Sequence, residues 1–114
     1  MDWQVIFYRD KGGKEPVKDF ILEQSDGAIG TILHVFDLLY RFDLSLGSDY
    51  VEKIEGKIWS LRIKHGSDYY RIFYFAFTEK KFILLHAVKK KRDKLLKRDI
   101  ALAISRMDDH MFGP

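Results

Sequence analysis

"KIWSLRIKHGSDYYRIFYFAF", Lys57 to Phe77, sets two strand-like runs around a short polar break. In the first, Trp59, Leu61 and Ile63 alternate with Ser60, Arg62 and Lys64, the period of two expected of a half-buried strand. The break, "HGSD" (His65 to Asp68), has the glycine and small polar residues of a hairpin turn. The second run, "YYRIFYFAF" (Tyr69 to Phe77), is apolar on both sides, which predicts a central strand covered on both faces. Strands joined by so short a turn pair antiparallel.

Working outward, "TEKK" (Thr78 to Lys81) turns again and "FILLHAV" (Phe82 to Val88) is a further strand, so these strands form a meander. Upstream, "WQVIFYR" (Trp3 to Arg9) is rich in strand formers and "DKGGK" (Asp10 to Lys14) breaks it. Pro16 opens a helix, where its missing N–H costs nothing, and Val17, Phe20 and Ile21 follow at helical spacing. After the break at "SDG" (Ser25 to Gly27), Ile29, Ile32, Leu33, Phe36 and Leu39/Tyr40 mark a second amphipathic helix. "DLSLGSD" (Asp43 to Asp49) reads as a loop. In "DKLLKRDIALAISRMDD" (Asp93 to Asp109), Leu96, Ile100, Ala103, Ile104 and Met107 predict a C-terminal helix. The expected order is β-α-α-β-β-β-α, an α+β fold in a single domain spanning residues 1–114.

Composition narrows the function classes. Apolar residues make up 46% and aromatics 15% of 114 residues, enough for a true core. The absence of cysteine excludes disulfides and thiolate metal sites, and no carboxylate or histidine cluster stands at ligand spacing. No apolar run approaches the roughly 20 residues of a membrane span, and "MDWQVIFYRD" lacks the features of a signal peptide. The expectation is a cytoplasmic protein without membrane partner, metal or small-molecule cofactor. Net charge is only +3, but "KKKRDKLLKR" (Lys89 to Arg98) holds seven of the twenty basic residues and one acid. Such a cluster attracts polyanions, or is simply a solvated helix face.

Arg62 and Arg71 are unusual for strand interiors. If Trp59, Leu61 and Ile63 face the N-terminal helices, Arg62 faces away. Arg71 shares a side with Tyr69, Phe73 and Phe75, and His86 with Leu84 and Val88. Alternation does not say whether those sides coincide; a meander with short turns allows it. Arg62, Arg71 and His86 would then line one face, with the basic run at its rim. Guanidinium groups grip phosphate oxygens in a bidentate manner, and exposed aromatics such as Tyr69 stack on unpaired bases.

The segment "GKIWSLRIKHGSDYYRIFYF…FILLHAVKKK" resembles the RelE/HigB superfamily of bacterial toxins, in its phage-derived HigB-like branch. The residues carrying the likeness are Trp59, Leu61 and Arg62; Tyr70, Arg71 and Tyr74; then Leu84, Leu85, His86, Lys89 and Lys90. The strand, glycine turn and "PVKDFI" helix of the N-terminal segment fit as well. Ser60 stands where the branch has an acid, "KRDKLLKRD" replaces a Thr- and Pro-containing stretch, and His110 is out of register with a C-terminal Tyr or His of some members.

The resemblance implies a RelE-like fold: a twisted, mostly antiparallel sheet, two N-terminal helices on one face and catalytic residues on the other. It also implies the toxin of a type II toxin–antitoxin system, a ribosome-dependent endoribonuclease (an mRNA interferase) that cleaves mRNA. Its partners would be the ribosome, mRNA and a cognate antitoxin of helix-turn-helix type. Arg71 would bind phosphate, with Arg62, Lys89 and Lys90 as further cations and Lys53 at a basic position before the second strand of the expected order. The implied reaction is attack of the 2′-oxygen on the adjacent phosphorus. Arginines stabilise the extra charge, whereas a clustered lysine or His86 moves protons. The expected catalytic set is therefore Arg62, Arg71, His86, Lys89 and Lys90, with Lys53, Lys64, Tyr69, Lys91 and Arg92 contacting RNA. Two alternatives stand beside it: a module that binds RNA or protein without cleaving, and a phage structural protein on the same fold.

Overall fold

The computed structural model describes residues 3–92 and 94–113. Along the chain run β1 (Gln4–Phe7), α1 (Pro16–Leu22), α2 (Asp26–Phe42), β2 (Val51–Glu55), β3 (Ile58–His65), β4 (Asp68–Phe77), β5 (Lys81–Lys90) and α3 (Lys97–Phe112). A single 3-10 turn, Asp43–Ser45, follows α2. The expected start of the last helix at Asp93 lies outside the described residues. Helix α2 begins where Ser25 accepts a hydrogen bond from the Ala28 N–H, the usual repair of an orphaned first-turn donor.

The five strands form one sheet in the order β1-β5-β4-β3-β2. β2 to β5 are antiparallel neighbours, and β1 joins β5 in parallel. This is the α+β, RelE-like arrangement expected, with one strand more. β2 falls in a stretch where the sequence shows only Val51 and Ile54 as apolar strand formers, one for each face. The β3–β4 turn needs Gly66, whose φ is +62°, a region costly for residues with a Cβ.

The sheet is buried on both faces by two separate cores. On one, α1 and α2 lay Val17, Ile32 and Leu39 against Leu61, Ile72 and Leu84. On the other, α3 lays Ala103 against Ile58, Phe73, Phe75, Ile83 and Leu85. Each of these large side chains contributes about 1.5–3 kcal/mol by leaving water. This double burial explains why β4 is apolar on both faces around Arg71.

One irregularity determines which residues share a face. Phe73 pairs with His86, yet Tyr74 pairs with Leu84, so Leu85 is an extra residue in β5. Such a bulge swings the side chains on its two sides out of phase. Leu84 faces α1 and α2, while Leu85 joins the α3 core. His86 therefore shares its side with Leu85 and Val88. The expected alignment of His86 with Leu84 does not hold, because simple alternation cannot register an inserted residue.

Candidate functional site

Arg62 and Arg71 lie directly opposite each other across β3 and β4, so their side chains leave the sheet on the same face, the one turned toward α3. The pairs Phe73 with His86 and Tyr69 with Lys90 place His86 and Lys90 on that face as well. Lys64 and Tyr69 form another cross-strand pair on it, with Lys64 Nζ 5.6 Å from the Tyr69 ring centre. Lys89 pairs with Tyr70, which belongs to the opposite core, so Lys89 points to the α1/α2 side. Lys53 alternates with Glu52 and points the same way as Lys89. Six of the ten expected residues thus share one face, two point to the other, and Lys91 and Arg92 follow the end of β5 in exposed positions.

The cations on this face are not bare. Arg71 is only 6% exposed. Its NH1 donates to Glu52 Oε1 and to Ser60 Oγ, both at 2.9 Å. Ser60, the residue in place of the expected acid, is wholly buried and acts as an acceptor for the guanidinium. Glu52 supplies the carboxylate from the neighbouring edge strand. The Glu52 side chain is 37% exposed, so the pair sits at the boundary with water.

Arg62 is the more open of the two. Its NH2 donates to the Ser48 carbonyl, while its buried Nε has no hydrogen-bond partner. Its side chain borders a cleft of about 470 Å³ at the end of β3, together with Thr31, His34, Asp49, Tyr50, Lys64 and Tyr69. Here β2 has not yet begun: the Arg62 N–H bonds the Tyr50 carbonyl, and the rest of β3 runs beyond its neighbour.

His86 is held from both sides. Its Nε2 lies 2.9 Å from Asp99 Oδ1 on α3, and its Nδ1 lies 3.4 Å from Arg106 NH1. A guanidinium only donates, so Nδ1 accepts and Nε2 carries the proton toward Asp99. The ring stacks on Phe73 with centres 5.8 Å apart. Burial pushes its pKa below the usual imidazole value, opposed by Asp99 and reinforced by Arg106 and Lys90. The neutral ring with both nitrogens engaged is a braced histidine. Asp99 also comes within 3.7 Å of Lys90 Nζ.

Lys89 and Lys91 have an acidic neighbour too. Lys91 Nζ stands 2.6 Å from Asp68 Oδ1, and Lys89 Nζ 4.0 Å from Asp68 Oδ2. The hydrogen bond from Lys91 draws the Asp68 carboxyl below its ordinary value, and Asp68 in turn raises the Lys91 pKa. Carboxylates thus stand beside Lys89, Lys90 and Lys91. Sequence reasoning missed Glu52, Asp99 and Arg106. Their only advance signal was an acid or base near the end of an amphipathic element, which most such elements carry.

A five-stranded, mostly antiparallel sheet with three helices places the protein in a class: compact, RelE-like α+β domains. The family model described as Phage derived protein Gp49-like (DUF891) matches residues 19–108. The chain belongs to that phage-derived family, a toxin-like group related to RelE and HigB. No match was found among the curated proteins. The matched span starts within α1 and ends within α3, so it contains every strand except β1. No helix among the described residues is long and apolar enough to cross a membrane.

Proposed function

We propose that this protein is the toxin of a type II toxin–antitoxin pair and acts on mRNA at the ribosome as a metal-independent endoribonuclease. The observation that supports it most directly is the facing pair Arg62 and Arg71, with His86 one strand further on the same side. In the proposed reaction the 2′-oxygen attacks the adjacent phosphorus, its proton passes to a base, and the P–O5′ bond breaks as the leaving oxygen gains a proton. The products are a 2′,3′-cyclic phosphate and a 5′-hydroxyl. Arg62 and Arg71 would meet the charge that develops on phosphorus, where fixed donors are most effective.

For Arg71 the incoming phosphate has to exchange with Glu52. That exchange is chemically even-handed, because a guanidinium binds carboxylate and phosphate through the same fork. His86, neutral at pH 7, is the candidate for proton movement once its contact with Asp99 or Arg106 opens. Lys90 lies beside it.

A second reading rests on the same contacts. Carboxylates already satisfy Arg71, His86, Lys90 and Lys91, which favours a module that binds RNA or protein without cutting. The two readings separate in one experiment. Induced expression should arrest growth and produce mRNA fragments ending in cyclic phosphate, both lost in Arg71→Ala while the circular dichroism spectrum stays native. Growth at the normal rate with intact mRNA, alongside salt-sensitive RNA retention, would leave only the binding reading.

A further inference from the structure

The cleft beside Arg62 has features that a general cationic surface lacks. Its floor is apolar, formed by Val35 of α2 and Ile63 of β3. Two half-buried tyrosines, Tyr50 and Tyr69, stand at its walls. Its volume of about 470 Å³ falls within the ~300–1,000 Å³ typical of small-ligand sites. Two cations, Arg62 and Lys64, border it, and a single carboxylate, Asp49, faces the same space.

One buried side-chain group here lacks a hydrogen-bond partner among the described residues. The Arg62 Nε is buried with no acceptor, and a buried donor left unpaired costs about 1–3 kcal/mol. Backbone direction adds to it. The Arg62 N–H points sideways, away from β4, toward the Tyr50 carbonyl. In a strand, residues two apart aim their main-chain groups the same way, so Lys64 directs its N–H and C=O outward past the end of β2. An edge with a donor and an acceptor, an aromatic wall and adjacent cations matches one nucleotide unit of a single strand. The ring stacks on tyrosine, and the phosphate meets Arg62 and Lys64. Asp49 adds selectivity: a carboxylate accepts from an exocyclic amine and repels a carbonyl oxygen at the same place.

We infer that the cleft between α2 and the free end of β3 binds a single nucleotide whose base carries an exocyclic amino group. The inference gives the RNA-directed reading a point of base selection and rests on that reading for its biological role. The binding itself does not depend on cleavage.

The test is an amide NMR titration of the full chain with the 5′-monophosphates of adenosine, cytidine, guanosine and uridine, and with ribose 5-phosphate. Saturable shifts confined to the cleft residues are expected, with uridine monophosphate and ribose phosphate at least about fivefold weaker than the best amino-bearing base. Tyr69→Ala should weaken binding about tenfold, as loss of a stacking ring does. Asp49→Asn should reduce the discrimination against uridine while keeping affinity. Equal affinity for all five ligands would overturn the inference, since charge alone would explain it. So would shifts spread over the basic surface, or no saturation at all. Failure here with mRNA cleavage intact would remove the nucleotide pocket and leave the proposed function standing. Binding without any cleavage would do the reverse.

Discussion

Asp99 joins the C-terminal helix to the sheet, and removing it provides a quantitative test. Asp99 is 7% exposed, and its carboxylate accepts the His86 Nε2–H at 2.9 Å. A net hydrogen bond to a charged group contributes about 1.5–3 kcal/mol. Asp99 also lies in the first turn of α3, where a negative charge adds about 0.3–1 kcal/mol. The contact with Lys90 is longer and partly exposed, so it adds little. Asp99→Ala should therefore cost about 2–4 kcal/mol. Asp99→Asn, which can still accept from the ring, should cost about half as much. Urea denaturation at pH 7.5 measures both, as a lower midpoint at unchanged slope. A double-mutant cycle with His86→Ala should return a coupling of about 1 kcal/mol or more. If Asp99→Ala stays within about 0.5 kcal/mol of the parent protein, the contact carries no weight and the bracing of His86 is mistaken.

Stability should fall on acidification below about pH 6.5. Burial lowers the pKa of both His86 and His110 in the folded protein, so below that pH the unfolded chain binds more protons. The loss develops from the unfolded imidazole value down through the folded ones, and a His86→Gln, His110→Gln double variant should flatten it in urea melts at stepped pH. At the alkaline end the sign reverses. Burial and Asp109, whose Oδ2 is 2.6 Å from the phenol, push Tyr8 up to about 12. Its stabilisation is complete below roughly pH 10 and is lost as the pH rises through the folded value, so Tyr8→Phe should show a shallower alkaline decline. Tyr70 and Tyr74 are raised as well and should keep part of that decline. Phe73→Ala removes a fully buried ring between α3 and His86 and should cost about 3–5 kcal/mol by thermal or urea unfolding.

Elements with a clean period were legible in the sequence. The apolar stripe of α2 and the alternation of β3 each specify a face without outside information. The short turn at His65 to Asp68 marked the β3–β4 hairpin and allowed the Arg62–Arg71 pairing, which the register then supplied. β2 was not legible, because an edge strand carries charge where a central strand carries core. Glu52, Lys53 and Glu55 surround its two apolar residues. That His86 sides with Leu85 rather than Leu84 also escaped, since the inserted Leu85 leaves no mark in the hydrophobic pattern. The acids opposite Arg71 and His86 come from β2 and α3, far off in sequence. Ionic pairing of that kind depends on tertiary approach and has no local period. Hence the face was legible while its state of neutralisation was not.

The parallel pairing of β1 with β5 has a consequence for how the chain assembles. The hairpins from β2 to β5 close over a few residues each and can form quickly. β1 has to wait for a partner that is synthesised most of the chain later, and closing so long a loop is entropically unfavourable until the meander exists. A growing polypeptide therefore presents Trp3, Val5 and Phe7 to its surroundings before their docking surface has been made. Until β5 is in place those side chains stay uncovered, and during that interval the unfinished sheet is most open to a chaperone or to misassembly with another copy.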